Sequence, residues 1–330
     1  MMSLDPKLSE QVKQKIDAYE SITILTHLNP DPDTLGTGLG VYVLLKAYTS
    51  KHIEIVNASD DLPRHLDFLP YFNRIKKKMD YDESLVIACD CGSLERLGFT
   101  LEGRDIINID HHASNAHYGS VNVILSTYAS ASQVAYRLFS SIYKVTKESA
   151  TCFYAALLSD TRYFTTSSVS REVFRVASEL VDLGAEPARI ASNFTQRRSL
   201  ASLRILERAL HSLKLYMEGK VAVLRIDPED IEATGATMPD MDGIVDYARS
   251  LAVVEISVLL ISLSDGTVRV SLRSKGANVS KIAAHFGGGG HKEASGFTLH
   301  NMQTQEIVDT ILQQISILVL IDGKEEKRRQ

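Results

Sequence analysis

The 330-residue chain is predicted to be an α/β protein: an N-terminal domain with a doubly wound, mainly parallel sheet, a helical connector, and a smaller α+β C-terminal domain. Three observations carry this expectation. Short, continuous apolar runs recur through the first half, as strands buried on both faces require. Helical stretches separate them, which suits crossovers between parallel strands. Beyond the middle of the chain the pattern changes to strands paired through a tight turn.

The runs follow in order. Ser21–Thr26 (SITILT) is apolar and β-branched, a Gly-punctuated helix covers Thr34–Leu45, and His52–Val56 is a second strand. Ser84–Ala88 and Asp105–Ile109 continue the sheet. Ser130–Tyr143, Ser149–Leu158 and Arg171–Leu183 are helical, the last ending at Gly184, a natural C-cap. Pro187 opens an amphipathic stretch that reaches Leu213 and reads as the connector. After it, Lys220–Ile226 is a strand, and Glu255–Leu263 and Thr267–Arg273 flank Ser264-Asp265-Gly266 as a hairpin. A helix (Val279–Phe286), a four-glycine loop, a strand (Ala294–Leu299) and a C-terminal helix complete the domain. The expected divisions are 1–186, 187–213 and 214–322, with a charged tail at 323–330.

Composition restricts the function. No apolar run reaches the roughly 18 residues of a membrane span, so no membrane partner is expected. The N-terminus MMSLDPKLSE lacks a secretory pattern, and Cys89, Cys91 and Cys152 form no CxxC pair, which favours a reducing cytoplasm. A net charge of −5 argues against long duplex nucleic acid, whose partners carry a surplus of Lys and Arg. A nucleic-acid substrate should therefore be short.

The chemistry collects at the ends of the apolar runs. SITILT leads into His27 and then Asn29-Pro30-Asp31-Pro32-Asp33; SLVIAC ends at Asp90; DIINI ends at Asp110-His111-His112; CFYAALLSD closes on Asp160. In open α/β sheets the carboxyl ends of the strands form the ligand crevice, so these groups should converge. So many carboxylates in one crevice need cations, because desolvation and mutual repulsion both oppose ionisation. Imidazole with carboxylate suits manganese, iron, zinc or magnesium. Asp31 and Asp33 alternate across a short loop and could serve different ions, while Asp90 could bridge two metals about 3.5–4 Å apart. Taken singly, a strand-end His or an N-P-D-P-D turn is ordinary structure; four such elements in succession are not.

HLNPDPDTLG, ACDCGS, IDHHASN and ALLSDT resemble the four successive motifs of the DHH phosphoesterases. SLRSKGANVSKIAAHFGGGGHKEASG resembles the signature of the DHH-associated C-terminal domain. The compact two-domain form is most similar to the bacterial nanoRNase/pAp phosphatases. The resemblance implies one metal held by His27, Asp31 and Asp90, and a second by Asp33, Asp90, His111 and Asp160, with two Mn2+ ions expected and Mg2+ or Co2+ as substitutes. It further implies catalytic roles for Asp90, for His112 at the substrate phosphate, and for Asp110 orienting a neighbouring histidine. Pro32 and Arg162 depart from the family pattern, the latter standing where relatives often have Gly.

In the second domain, the run Gly287–Gly290 followed by His291 sits between a helix and a strand, where successive backbone N–H groups can form an anion nest. Arg273 and Ser274, at the end of a hairpin strand, are its expected companions. The substrate-binding set is thus Arg273, Ser274, Gly288, Gly289, Gly290 and His291. The expected activity is hydrolysis of short RNA or DNA oligonucleotides and of pAp, with a homodimer as one arrangement of the chain. A RecJ-type exonuclease, a pyrophosphatase and a nucleotide-sensing module are the alternatives.

Overall fold

The computed structural model describes residues 5–329, with side chains as far as Ile317. The chain divides into two compact units, one running to Arg197 and the other beginning at Arg198.

The first unit comprises α1 (Pro6–Ala18), β1 (Ser21–Thr26), α2 (Pro32–Tyr48), β2 (His52–Val56), β3 (Ile75–Lys76), β4 (Leu85–Cys89), β5 (Ile106–Asp110), β6 (Val121–Ile124), α3 (Ala131–Ser140), α4 (Lys147–Asp160), α5 (Arg171–Asp182) and α6 (Pro187–Thr195). Its six strands are all parallel and lie in the order β3-β2-β1-β4-β5-β6. Strand order reverses between β1 and β4, and this switch point is where an open α/β sheet offers its ligand crevice. Alternate strand residues serve opposite faces. Ile22, Ile24, Ile87 and Ile109 join the larger core with Leu35, Leu39, Phe139 and Phe153 from the helices. Leu25, Val56, Val86 and Ala88 face a smaller cluster closed by Leu97, Leu101 and the flanking Phe99 and Tyr118.

Helices α2 and α4 pack closely because of two glycines. A Cβ on Gly36 would stand 2.8 Å from Cβ of Ala156, and one on Gly40 would stand 2.4 Å from the ring of Phe153. The residue pairing is antiparallel, so the start of α2 and the end of α4 lie side by side. Asp31 and Asp33 occupy the first place and Asp160 the second.

The second unit comprises α7 (Leu200–His211), β7 (Lys214–Tyr216), β8 (Val221–Ile226), α8 (Pro228–Thr234), α9 (Ile244–Arg249), β9 (Ile256–Ser262), β10 (Thr267–Ser274), α10 (Val279–His285), β11 (Gly289–His291), β12 (Ala294–His300) and α11 (Thr304–Arg329). Its sheet runs β11-β12-β10-β9-β8-β7, antiparallel except for β8 with β9. One face buries Val258, Val270 and Leu272 under α10 and α11, and the other buries Ala222, Leu224 and Leu259 under α7 and α9.

Two details differ from the sequence expectation. The stretch 187–213 is two helices, α6 in the first unit and α7 in the second, broken at Gln196–Ser199 where Ser199 caps α7. Part of the four-glycine loop is the edge strand β11, paired with β12 through Gly289–Gly296 and Gly290–Ser295. The charged tail at 323–330 lies outside the residues whose side chains are described. Among the described residues, no helix is long and apolar enough to cross a membrane.

Candidate active site

The elements that meet at the switch point deliver polar groups to it. His27 follows β1, and its Nδ1 lies 2.9 Å from the Leu28 carbonyl. That contact assigns the ring proton to Nδ1 and leaves Nε2 as the lone-pair donor. Asp31 caps α2, one carboxylate oxygen accepting from the N–H groups of Asp33 and Thr34 at 3.0 Å. Pro32 then occupies the first helical position, where a missing N–H has no consequence. This explains why the motif accommodates proline between its two acids. Thr34 ties the assembly together, accepting from the His27 N–H and donating to the Cys89 carbonyl.

Asp33 is buried and reaches across to the start of α3, where it accepts from the N–H groups of Ala131 (2.8 Å) and Ser132 (3.3 Å). A helix N-terminus is a favourable seat for a carboxylate. Asp90 follows β4 with φ 56°, a left-handed conformation that Asp tolerates better than most residues. His111 mirrors His27: its Nδ1 lies 3.3 Å from the Tyr128 carbonyl, and Nε2 faces the acids.

Three overlapping groups result, each with its ligand atoms within 4.8 Å of one another: His27, Asp31 and Asp90; Asp33, His111 and Asp160; and Asp90, Asp110, His111 and His112. His27 Nε2 lies 3.7 Å from Asp31 and 3.6 Å from Asp90. His111 Nε2 lies 3.8 Å from Asp33 and 3.6 Å from both Asp90 and Asp160. These gaps are too long for direct hydrogen bonds. They match the space left when a cation with ligand bonds of about 2.1 Å stands between the atoms.

The electrostatics agree. Burial, followed by the charges of Asp90, Asp160 and Asp31, pushes the Asp33 carboxyl well above the usual carboxylate range. Desolvation together with Asp90 and Asp31 pushes Asp160 the same way. Burial disfavours a charged His27, yet Asp31 and Asp90 raise it to about 10, a measure of the demand for positive charge here. Oδ1 of Asp90 is buried without a hydrogen-bond partner, which fits a ligand atom. The cluster can hold metal ions.

Asp110 plays a different part. It is fully buried, accepts from the backbone N–H groups of His111 and His112, and lies 2.7 Å from Nδ1 of His112. Burial opposes protonation of His112, but Asp110 first and Asp90 next raise it to about 8. Asn115 donates to the other Asp110 oxygen at 2.5 Å and in turn accepts from Asn108. Sequence reasoning missed Asn115, although it ends the IDHHASN segment. The α3 N-terminus was missed as well; its only sequence trace is the small-residue run Ser130–Ser132. Cys89 and Cys91 are buried on opposite faces of the sheet, as fillers.

In the second unit, Arg273 and His291 both stand in register with Ala294, on either side of β12. Arg269, Ser271 and Arg273 alternate with the buried Val270 and Leu272 and therefore share one face, which is exposed or half-buried. Ser274 points the other way: it is buried, and its hydroxyl donates to the Ala277 carbonyl at 2.6 Å. The structure thus groups Arg273 with His291 and separates Ser274 from them. Gly288 and Gly290 are required by close packing, since a Cβ would stand 2.2 Å from the Gly296 carbonyl and 2.6 Å from that of Ala294.

A parallel sheet with histidines and aspartates converging at its switch point, followed by a mixed-sheet unit, is an α/β scaffold whose crevice can hold metal ions. The DHH family, N-terminal domain, matches residues 21–157, and the DHHA1 domain matches residues 218–317. The chain belongs to the DHH family of phosphoesterases. It is 30% identical over 316 residues to the bifunctional oligoribonuclease and PAP phosphatase NrnA of Thermus thermophilus, covering 92% of each chain. The protein of the same name from Bacillus subtilis is 24% identical over 301 residues, covering 89% of this chain and 94% of its own. The crystal structure of an exopolyphosphatase-related protein from Bacteroides fragilis superposes with a TM-score of 0.88 at 23% identity, over 98% of this chain and 99% of that one, and shares the fold.

Proposed function

We propose that this phosphoesterase hydrolyses oligonucleotides of a few residues to mononucleotides, and pAp to AMP and phosphate, using two manganese ions. The observation that carries the reading is the pair of histidine–aspartate groups joined through Asp90, which reaches both His27 and His111 at 3.6 Å. His27, Asp31 and Asp90 would hold one ion, and Asp33, Asp90, His111 and Asp160 the other. When bound, such ions supply charge neutralisation at the phosphoryl group and an acidified water as nucleophile. His112, held by Asp110, donates a hydrogen bond toward the developing charge or the leaving oxygen. Arg273 and His291, with the glycines of β11, provide cationic and N–H donors for substrate phosphates at the exposed and half-buried β10–β12–β11 side of the second sheet. Substrates named for the curated relatives, oligoribonucleotides and PAP, fit a phosphoester-cleaving centre combined with such a face. The three buried, unpaired cysteines agree with a reducing cytoplasm. Dimerisation is part of the proposal only as a state to be measured.

The test is product formation from 5′-labelled RNA of two, five and twenty-four nucleotides, with pAp and pyrophosphate alongside, in manganese and in EDTA. Metal-dependent release of mononucleotides from the shortest RNA, abolished by Asp90→Ala, is the expected result. Turnover of pyrophosphate alone, or equal cleavage of the shortest and longest RNA, would overturn it.

A further inference from the structure

Five of the ten non-glycine residues with positive φ among the described residues lie in loops of the active site: Asn29, Asp90, Arg162, Tyr163 and Phe164. The last three are consecutive, at 45°, 60° and 62°. L-residues enter this region singly and reluctantly, and a run of three is a left-handed turn that the surroundings must impose. Strained backbone of this kind is retained where it positions a working group.

The turn is pinned at both ends. Thr161 is buried, donates from its hydroxyl to the Leu157 carbonyl, and accepts the Phe164 N–H on the same oxygen. Tyr163 N–H returns to the Leu158 carbonyl at 2.8 Å, and Thr165 N–H to that of Thr161 at 2.9 Å. Phe164 is the anchor, its ring lying against Tyr154 and Phe174. Of the other two side chains, Tyr163 is exposed and Arg162 half-buried. Tyr163 is 43% exposed while its ring edge meets Phe194. Arg162 is near enough to the metal cluster for its charge to act on Asp160. Tyr163 is three residues beyond that acid, at most about 10 Å along the chain.

A guanidinium at the rim of a metal site cannot be a ligand and repels cations, but it grips phosphate oxygens in a fork. An exposed phenol ring beside it offers a stacking platform that accepts any base. We propose that the left-handed turn is the nucleotide-selecting element of this centre: Arg162 takes the phosphate next to the scissile one, and Tyr163 stacks on the adjoining base. This rests on the function proposed above and adds how the centre distinguishes a nucleotide from a bare phosphate ester. Phe164 has a packing role only.

The experiment compares pApA with the same dinucleotide carrying an abasic sugar at either position, in manganese, and records the melting temperature of each variant. Tyr163→Ala is expected to raise KM for pApA roughly tenfold while leaving KM for one abasic dinucleotide unchanged. Tyr163→Phe should retain wild-type KM. Arg162→Gly, which suits the left-handed backbone, should melt higher than wild type yet raise KM on all three substrates, and Arg162→Lys should recover only part of that loss. Equal KM increases for Tyr163→Ala on pApA and both abasic substrates, or a lowered kcat with a lowered melting temperature, would overturn the inference and leave the proposed function standing. Wild-type protein that turned over none of the three would overturn both.

Discussion

Asp110 lies 2.7 Å from Nδ1 of His112 with its carboxylate fully buried, so the imidazole ring is held by a group that has no route to solvent. The contact assigns one ring proton to Nδ1, and with the imidazole raised, against burial, to about 8 by Asp110 and Asp90, a second proton on Nε2 is available to donate to substrate. Replacing Asp110 by Asn puts an amide where the carboxylate accepts from two backbone N–H groups and the ring. Activity should fall by roughly 10- to 100-fold, the usual cost of losing a residue that orients an active-site histidine. Steady-state kinetics on a dinucleotide should place the loss in kcat, and His112→Ala should lose no less.

Asp90 is the shared acid, and its left-handed backbone is one that Asn also adopts readily. Asp90→Asn should therefore fold. It also removes one charge from a cluster in which Asp33 and Asp160 already resist ionisation. In EDTA the variant should melt at or above the wild-type temperature. In manganese the wild type should gain stability, about 2.7 kcal/mol at a hundredfold excess over Kd, and the variant should gain little. Paired melts with and without the metal test this. A full manganese shift in the variant would remove Asp90 from the ligand set.

How much was legible in the sequence follows from the length and regularity of each signal. The histidine–aspartate cluster is legible because His27, Asp90 and Asp110 stand at the ends of apolar runs that form strands, and the topology of parallel sheets brings such ends together. Asp33 was legible as a charge near the site but not as a carboxylate seated on the N–H groups of Ala131 and Ser132, a contact nearly a hundred residues away in sequence. Ser274 was misplaced beside Arg273 even though the alternation in TVRVSLRS puts neighbours on opposite faces. The strand β11 is not legible as a strand because glycines carry no side-chain periodicity. Strands of two to four residues such as β3, β6 and β7 offer too few positions for a pattern.

Lys15 on α1 and Tyr19 just beyond it both contact Asp105 at the entry to β5, at 2.5 and 2.7 Å. Lys15 first and Tyr19 next hold the Asp105 carboxyl down to about 2. A carboxyl lowered in the folded state stabilises the fold above its unfolded pKa and loses that contribution as pH falls through the folded value. The window here runs from about pH 4 down to pH 2. Because the pair is partly exposed, Asp105→Asn should cost about 1 kcal/mol at neutral pH. The difference from wild type should shrink through this window and vanish below about pH 2 in denaturant titrations.

Gly40 connects stability to chemistry. A methyl group there would meet the fully buried ring of Phe153 at 2.4 Å, and the ring has the core of α2, α3 and α4 around it. Gly40→Ala must therefore push α2 away from α4, with an overpacking cost of about 1–3 kcal/mol that exceeds the helix propensity gained. The same two helices carry Asp31 and Asp33 at the start of one and Asp160 at the end of the other, so their separation also widens the acid cluster. The variant should show a lower urea midpoint together with weaker manganese binding. Phe153→Leu in the Gly40→Ala background, by giving up ring atoms at the point of contact, should restore part of both.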